Sequence, residues 1–184
     1  ARGAESVVAE MLALRDMGYR SIEFFDDNFN VSRKRVLEIC KLIREKKVGL
    51  PWGFRGRVDK FDEEVARELA AAGCSRVNFG VESGSQPMID KIGKGITLEQ
   101  VRAAFALARR HGLQTVAYFI IGLPGETRAD AHETVDLIFE IEPDYIVLHA
   151  LFPQPGSQVY RDALAAGAFP DYALEWAKKP FADL

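Results

Sequence analysis

Apolar positions along the chain switch repeatedly between a helical spacing and short runs of period two. Val7, Met11 and Leu14 share one helical face, with Val8 and Leu12 flanking it, Ser6 placed as a cap and Gly18 as the stop. Ser21 to Phe25 reads as a short buried strand that runs straight into Asp26, Asp27 and Asn28. Ser32 caps a second helix with Val36, Ile39, Cys40 and Ile43 on its core face and Gly49 beyond its end. Trp52 to Val58 alternates as the next strand, with Asp59 at its end, and Asp62 caps an alanine-rich helix closed by Gly73. From Arg76, Val77, Phe79 and Val81 alternate with smaller or polar residues as a third strand. Thr97 to Gln100 forms a capping box that opens a helix with the stripe Val101, Ala104, Phe105 and Ala108, ended by Gly112. Thr115 to Ile121 is a strand apolar enough to be covered on both faces. Thr127 and Asp130 open a helix carrying Ala131, Val135, Ile138 and Phe139, and Tyr145 to Phe152 is the last strand.

Helices and strands that alternate at this pitch predict an α/β domain with parallel strands and right-handed crossovers. Polar residues and glycines gather after the strands: Asp26 and Asp27, Asp59, Glu82 and Ser83, Gly122 to Glu126, and Pro153 to Ser157. Parallel sheets bind ligands at the carboxyl ends of their strands, so these stretches converge on one rim. A partial βα barrel and an open doubly wound sheet both fit, and no G-x-G-x-x-G follows an early strand to favour a dinucleotide fold.

Composition narrows the function classes. At 184 residues the chain is one domain by size, and its net charge of −3 gives no basic footprint for nucleic acid. No apolar run approaches the roughly 20 residues that cross a membrane. The two cysteines, Cys40 and Cys74, make neither a disulfide framework nor a metal-ligand spacing, which points to a reducing cytoplasm. The chain enters a helical pattern almost at Ala1 without a methionine, and it closes on an unpatterned Lys178 to Leu184. It reads as a piece excised from a longer protein.

Candidate chemistry lies at the strand ends. At Glu82-Ser83-Gly84-Ser85 the apolar pattern stops, and a carboxylate there can accept hydrogen bonds from a diol. Lys94 stands between Gly93 and Gly95, where the backbone can approach a ligand closely. Together they suit a ligand with hydroxyls at one place and a carboxylate at another; a solvated Glu–Lys pair is the plainer alternative. Asp26-Asp27-Asn28 can bind a metal, for which a carboxylate pair without a third ligand is a weak signal, accept the ammonium of an amino acid, or simply form a turn. Arg55 and Arg57 lie two apart, and Arg57 can clamp an anion or pair with Asp59 or Asp27. His149, near the end of the last strand, is the one histidine placed to face a substrate.

Gly80-Val-Glu-Ser-Gly-Ser-Gln86, Ile92-Gly-Lys-Gly-Ile-Thr97 and Gly122-Leu-Pro-Gly-Glu-Thr127 resemble, in this order, the core of the radical S-adenosylmethionine enzymes. The likeness is to the branch in which a cobalamin-binding domain precedes the core, and it runs from about Glu5 to Tyr160. The resemblance implies a partial six-stranded barrel whose first strand is missing here, with a core over 1–160 and an extension over 161–184. It implies S-adenosylmethionine as cosubstrate, its amino group at Asp26, Asp27 and Asn28, its ribose at Glu82 beside Ser83, and its carboxylate at Lys94. Phe119, Ile120, Ile121 and Gly122 would supply backbone and apolar contacts to adenine, and Phe152 would close that pocket. It further implies a four-iron, four-sulfur cluster held by C-x-x-x-C-x-x-C, a small-molecule substrate and a donor such as flavodoxin or ferredoxin. No such cysteine run occurs in the chain, so the cluster ligands are expected upstream of Ala1 and this piece alone is expected to be inactive. A βα-barrel lyase, a non-catalytic binding module and a methylthiotransferase-like member of the same superfamily are the alternatives.

Overall fold

The computed structural model describes residues 2–171. Five strands, β1 (Ile22–Phe24), β2 (Trp52–Gly56), β3 (Cys74–Glu82), β4 (Gln114–Ile121) and β5 (Tyr145–Ala150), form one sheet. All neighbours are parallel and the spatial order follows the chain order. The helices are α1 (Ala4–Asp16), α2 (Arg33–Glu45), α3 (Glu63–Ala71), α4 (Gln86–Lys91), α5 (Leu98–Arg110), α6 (Arg128–Ile141) and α7 (Gln158–Ala165).

Order without reversal decides the architecture. Right-handed crossovers that always advance in one direction leave every connecting helix on the same side of the sheet. The helices accordingly touch in sequence, α1 on α2, α2 on α3, α3 on α5 and α5 on α6. A doubly wound sheet needs a point where strand order reverses, and there is none. β1 and β5 do not pair, so the sheet is a partial barrel, open at its edges.

One apolar core fills the space between sheet and helices, with Phe54, Val77, Phe79, Val81, Ala117 and Phe119 meeting the helix stripes. Successive strand residues point to opposite faces, so Arg55, Asn78, Gly80, Tyr118 and Ile120 are left on the uncovered, concave face. The expectation that β4 is covered on both faces is therefore corrected: its second face is a cavity wall.

Two other expectations are corrected. Helix α1 begins at Ala4 with Gly3 at its N-cap, and Ser6 lies inside it, accepting a hydrogen bond from the Arg2 guanidinium at 2.8 Å. Ala4, Val7, Val8 and Met11 form a buried stripe that carries the helix one turn earlier. On α6, Val135 and Phe139 are 46% and 76% exposed, whereas Thr134, Leu137 and Ile141 are buried. A polar anchor fixes this rotation: the Thr134 hydroxyl accepts from the Gly84 amide at 2.9 Å and lies 3.4 Å from the Ser83 hydroxyl. Helix α7 straddles the expected start of the extension at 161, and the unpatterned close at 178–184 lies outside the described residues.

Cys40 and Cys74 are both buried and unpaired. Burial pushes the Cys40 thiol up to about 12 and raises that of Cys74 as well. Native protein should leave Ellman's reagent unreacted at pH 8 and release both thiols only when unfolded. Rapid labelling of the native chain would contradict this packing.

Candidate functional site

The rim begins after β1. Phe29 is buried beneath the Asp26-Asp27-Asn28 turn, its ring centroid 4.8 Å from Phe24, 5.7 Å from Trp52 and 4.9 Å from Phe54. Asn30 then ties this turn to the end of β2: its Oδ1 accepts from the Arg57 amide at 2.8 Å, and its Nδ2 donates to the Arg57 carbonyl at 2.9 Å. A Cβ on Gly56 would lie 2.7 Å from that Asn30 oxygen, so the glycine makes the clamp possible. Held in this way, Asp27 and Asn28 line a cavity of about 550 Å³. Asp26 turns away toward α1 and lines a separate cavity with Phe24, Phe25 and Arg35.

The end of β3 forms the opposite wall. The β3–β4 register slips between Gly80 and Glu82, a bulge that sets Glu82 opposite Phe119. Glu82 adopts φ +74°, a conformation that costs a non-glycine residue about 1–3 kcal/mol and survives only where the surroundings impose it. Its carboxylate folds back over Gly80 to the Lys94 ammonium at 2.5 Å, with side chains 16% and 23% exposed. A Cβ on Gly80 would stand 2.5 Å from Glu82 Oε1 and 2.8 Å from Lys94 Nζ. The missing side chain is therefore the cradle of this pair. Arg57 does not line the cavity: it holds Asp59 at 2.7 Å and donates to the Lys94 carbonyl at 3.0 Å, supporting the glycine-flanked loop from behind.

Ser83 is fully buried and faces α6, not the cavity. It belongs to a polar seam in which Ser83 Oγ accepts from the Ser85 amide at 3.1 Å and the Ser85 hydroxyl donates to Asp130 at 2.6 Å. Hydrogen bonds from Ser85 and then from Thr127 hold the Asp130 carboxyl down from 3.8 to about 2. A depressed folded-state value means the stabilisation is present above the unfolded value, near pH 4, and fades as pH falls toward 2. The stability difference between wild type and Asp130→Asn should thus shrink on acidification from pH 5 to pH 2, as thermal melts would measure. A pH-independent difference would exclude this role.

From β4, Ile120 lines the cavity while Phe119 is buried in the core behind it. Ile121 is partly exposed, and its carbonyl accepts from the Leu151 amide at 2.8 Å. Gly122 takes φ +80°, which suits glycine, and its amide donates to Glu126 at 2.5 Å. From β5, His149 stacks on Tyr118 at 6.2 Å between centroids and 19° between planes, with Phe152 and Gln154 beyond it. Of the residues expected at the site, Asp27, Asn28, Glu82, Lys94, Ile120 and Phe152 meet in one cavity. Asp26, Arg57, Ser83, Phe119, Ile121 and Gly122 stand around it. Gly80, Asn78, Tyr118 and Gln154 line it without having been singled out for a role. The first three occupy the strand positions that alternate with the core stripe, which is the signal that would have found them.

A parallel partial barrel with its helices on one face and a ligand-sized cavity at the carboxyl ends of its strands places that cavity where parallel βα folds bind small molecules. Residues 1–138 match the model of the Radical SAM superfamily, and the chain belongs to that superfamily. An uncharacterised methyltransferase of Pyrococcus horikoshii is 35% identical over 175 residues, 95% of this chain and 38% of that protein. The anaerobic magnesium-protoporphyrin IX monomethyl ester cyclase of Rubrivivax gelatinosus is 29% identical over 166 residues, covering 88% of this chain and 30% of its own. Among solved structures, the radical S-adenosylmethionine methyltransferase TsrM of Kitasatospora setae, with cobalamin and a [4Fe-4S] cluster bound, superposes with a TM-score of 0.75 at 26% identity, over 81% of this chain and 29% of that one. The chain thus spans between 29% and 38% of the length of these three.

The residues present fit S-adenosylmethionine, with a carboxylate and an ammonium cradled over Gly80 beside an apolar wall at Ile120 and Phe152. They do not fit the cluster. Among the described residues no three metal-ligating side chains come together, and both thiols are buried apart from the rim. No helix among those residues is long and apolar enough to cross a membrane.

Proposed function

We propose that this chain is the S-adenosylmethionine-binding core of a radical enzyme of the cobalamin-associated branch. In the whole protein S-adenosylmethionine would accept one electron and part into methionine and a 5′-deoxyadenosyl radical, in the service of methyl transfer, cyclisation or rearrangement of a small molecule. A four-iron, four-sulfur cluster would supply the electron, recharged by a donor such as flavodoxin or ferredoxin.

The observation that carries this reading is Glu82. A carboxylate held at φ +74° by a bulge, over a glycine that a single methyl would close, is an arrangement maintained against backbone strain. In the proposed complex Glu82 accepts from the two ribose hydroxyls and Lys94 pairs with the methionyl carboxylate. Asp27 and Asn28 take the ammonium, and Ile120 and Phe152 enclose the adenine. The ligand then takes both partners of the internal Glu82–Lys94 contact.

Calorimetric titration of the full-length protein with S-adenosylmethionine, and with S-adenosylhomocysteine as a product analogue, tests the assignment. One site per chain is expected. Absence of binding by both ligands would overturn it.

A further inference from the structure

The concave face continues below the cosubstrate pocket. A second cavity of about 310 Å³ is lined by Glu23, Phe25, Arg55, Arg76, Val116 and Tyr145. It shares Arg55, Asn78 and Tyr118 with the larger one, so the two are a single groove that descends from the rim along the sheet. Registry places Arg55 beside Asn78, in the row beneath the Gly80–Tyr118 pair that floors the Glu82–Lys94 contact.

The charges of this groove are mostly spoken for. Glu23 reaches across Gly53, where a Cβ would stand 2.5 Å from its carboxylate, to Arg76 at 3.0 Å and to the Asn78 amide at 2.7 Å. Lys94 has Glu82. Among the described residues Arg55 is the groove's cation with no carboxylate within salt-bridge distance. Its guanidinium lies 4.7 Å from the centroid of the Phe25 ring. A ring face steadies a guanidinium without occupying any of its N–H donors. What remains is a planar donor fork at the junction of the two cavities, the geometry that takes a carboxylate in two parallel hydrogen bonds. Tyr118 and the stacked His149 give the adjoining wall a flat aromatic surface.

We infer that Arg55 anchors the second substrate, a small molecule carrying a carboxylate next to a flat or apolar body. The body would lie against Tyr118, between the anchor and the cosubstrate. This inference rests on the proposed cosubstrate pocket above it, and Arg55 would contribute specificity without taking part in holding S-adenosylmethionine.

The test uses full-length protein, with S-adenosylmethionine present to occupy Lys94, and benzoate as the probe. Saturation-transfer difference NMR should detect benzoate, whereas benzamide, of the same shape without the charge, should give little signal. Arg55→Gln should weaken benzoate binding by roughly tenfold, the loss of one charge-assisted pair. Calorimetry on the same variant should find S-adenosylmethionine affinity unchanged. Benzoate binding that ignores Arg55→Gln, or a site that takes inorganic phosphate in preference to benzoate, would overturn the inference. So would a tenfold loss of cosubstrate affinity in Arg55→Gln, which would give Arg55 to the cosubstrate carboxylate and leave the functional reading intact. Arg55-dependent benzoate binding in a protein that fails to bind S-adenosylmethionine would support the carboxylate anchor and defeat the cosubstrate reading alone.

Discussion

Gly84→Ala should destabilise the protein by about 2–3 kcal/mol, although the substitution adds a single methyl group. A Cβ at this position would be driven into α6, onto the Glu133 carbonyl and within 2.6 Å of its carbon, with the Thr134 Cα equally close. These are backbone atoms of a helix, and no side-chain rotation can move them aside. Helix α6 must shift, and with it the bond from the Gly84 amide to the Thr134 hydroxyl and the Ser85–Asp130 contact. Gly84 has an ordinary backbone conformation, so alanine gains the usual ~0.4–1 kcal/mol from a less flexible unfolded chain, already counted in the net figure. For a chain of this size the melting temperature should fall by roughly 4–12 °C. Gly122→Ala is the contrasting case: it meets nothing within 4 Å but keeps φ at +80°, for a cost of about 1–2 kcal/mol in strain alone. If Gly84→Ala melts at or above the Gly122→Ala temperature, α6 is not seated on this glycine.

The order of elements was legible because capping chemistry and periodicity agreed. Ser32, Asp62, Thr97 and Thr127 each cap the helix that follows, and Thr97–Gln100 and Thr127–Asp130 form complete capping boxes. What periodicity could not give was helix rotation. Helix α6 has apolar residues on two arcs, and the choice between them was made by Thr134 finding Gly84, a contact fifty residues apart in sequence. The same limit divided the site. Glu82, Lys94, Asp27 and Asn28 could be named from the residues and the resemblance, and they share a cavity. Ser83 stood next to Glu82 and was expected with it, but a bulge followed by positive φ sends adjacent side chains to different places. For Arg57 an anion clamp and a pair with Asp59 or Asp27 were both open; the strand ends at Gly56, and the turn beyond it aims Arg57 at Asp59. A period of two holds only while the strand does.

Glu82→Ala and Lys94→Ala should each weaken S-adenosylmethionine binding by about tenfold or more in the full-length protein. Each residue contributes at least one charge-assisted contact, worth roughly 1.5–3 kcal/mol when partly sheltered from water. Their effect on folding should be small, because a partly exposed pair on the rim contributes about 0–1 kcal/mol. Glu82→Gly separates the two quantities most sharply. Glycine accepts φ +74° without the roughly 1–3 kcal/mol that this conformation costs a residue with a side chain. That relief offsets the lost pairing with Lys94, so the melting temperature should hold or rise while affinity falls. A residue whose removal leaves the fold equally stable and empties the pocket is one kept in a strained conformation for its ligand. If Glu82→Gly instead binds S-adenosylmethionine as wild type does, the Glu82–Lys94 contact is only a surface ion pair. If it lowers the melting temperature as far as Gly84→Ala does, the strain at Glu82 serves the packing of β3 and not the cavity.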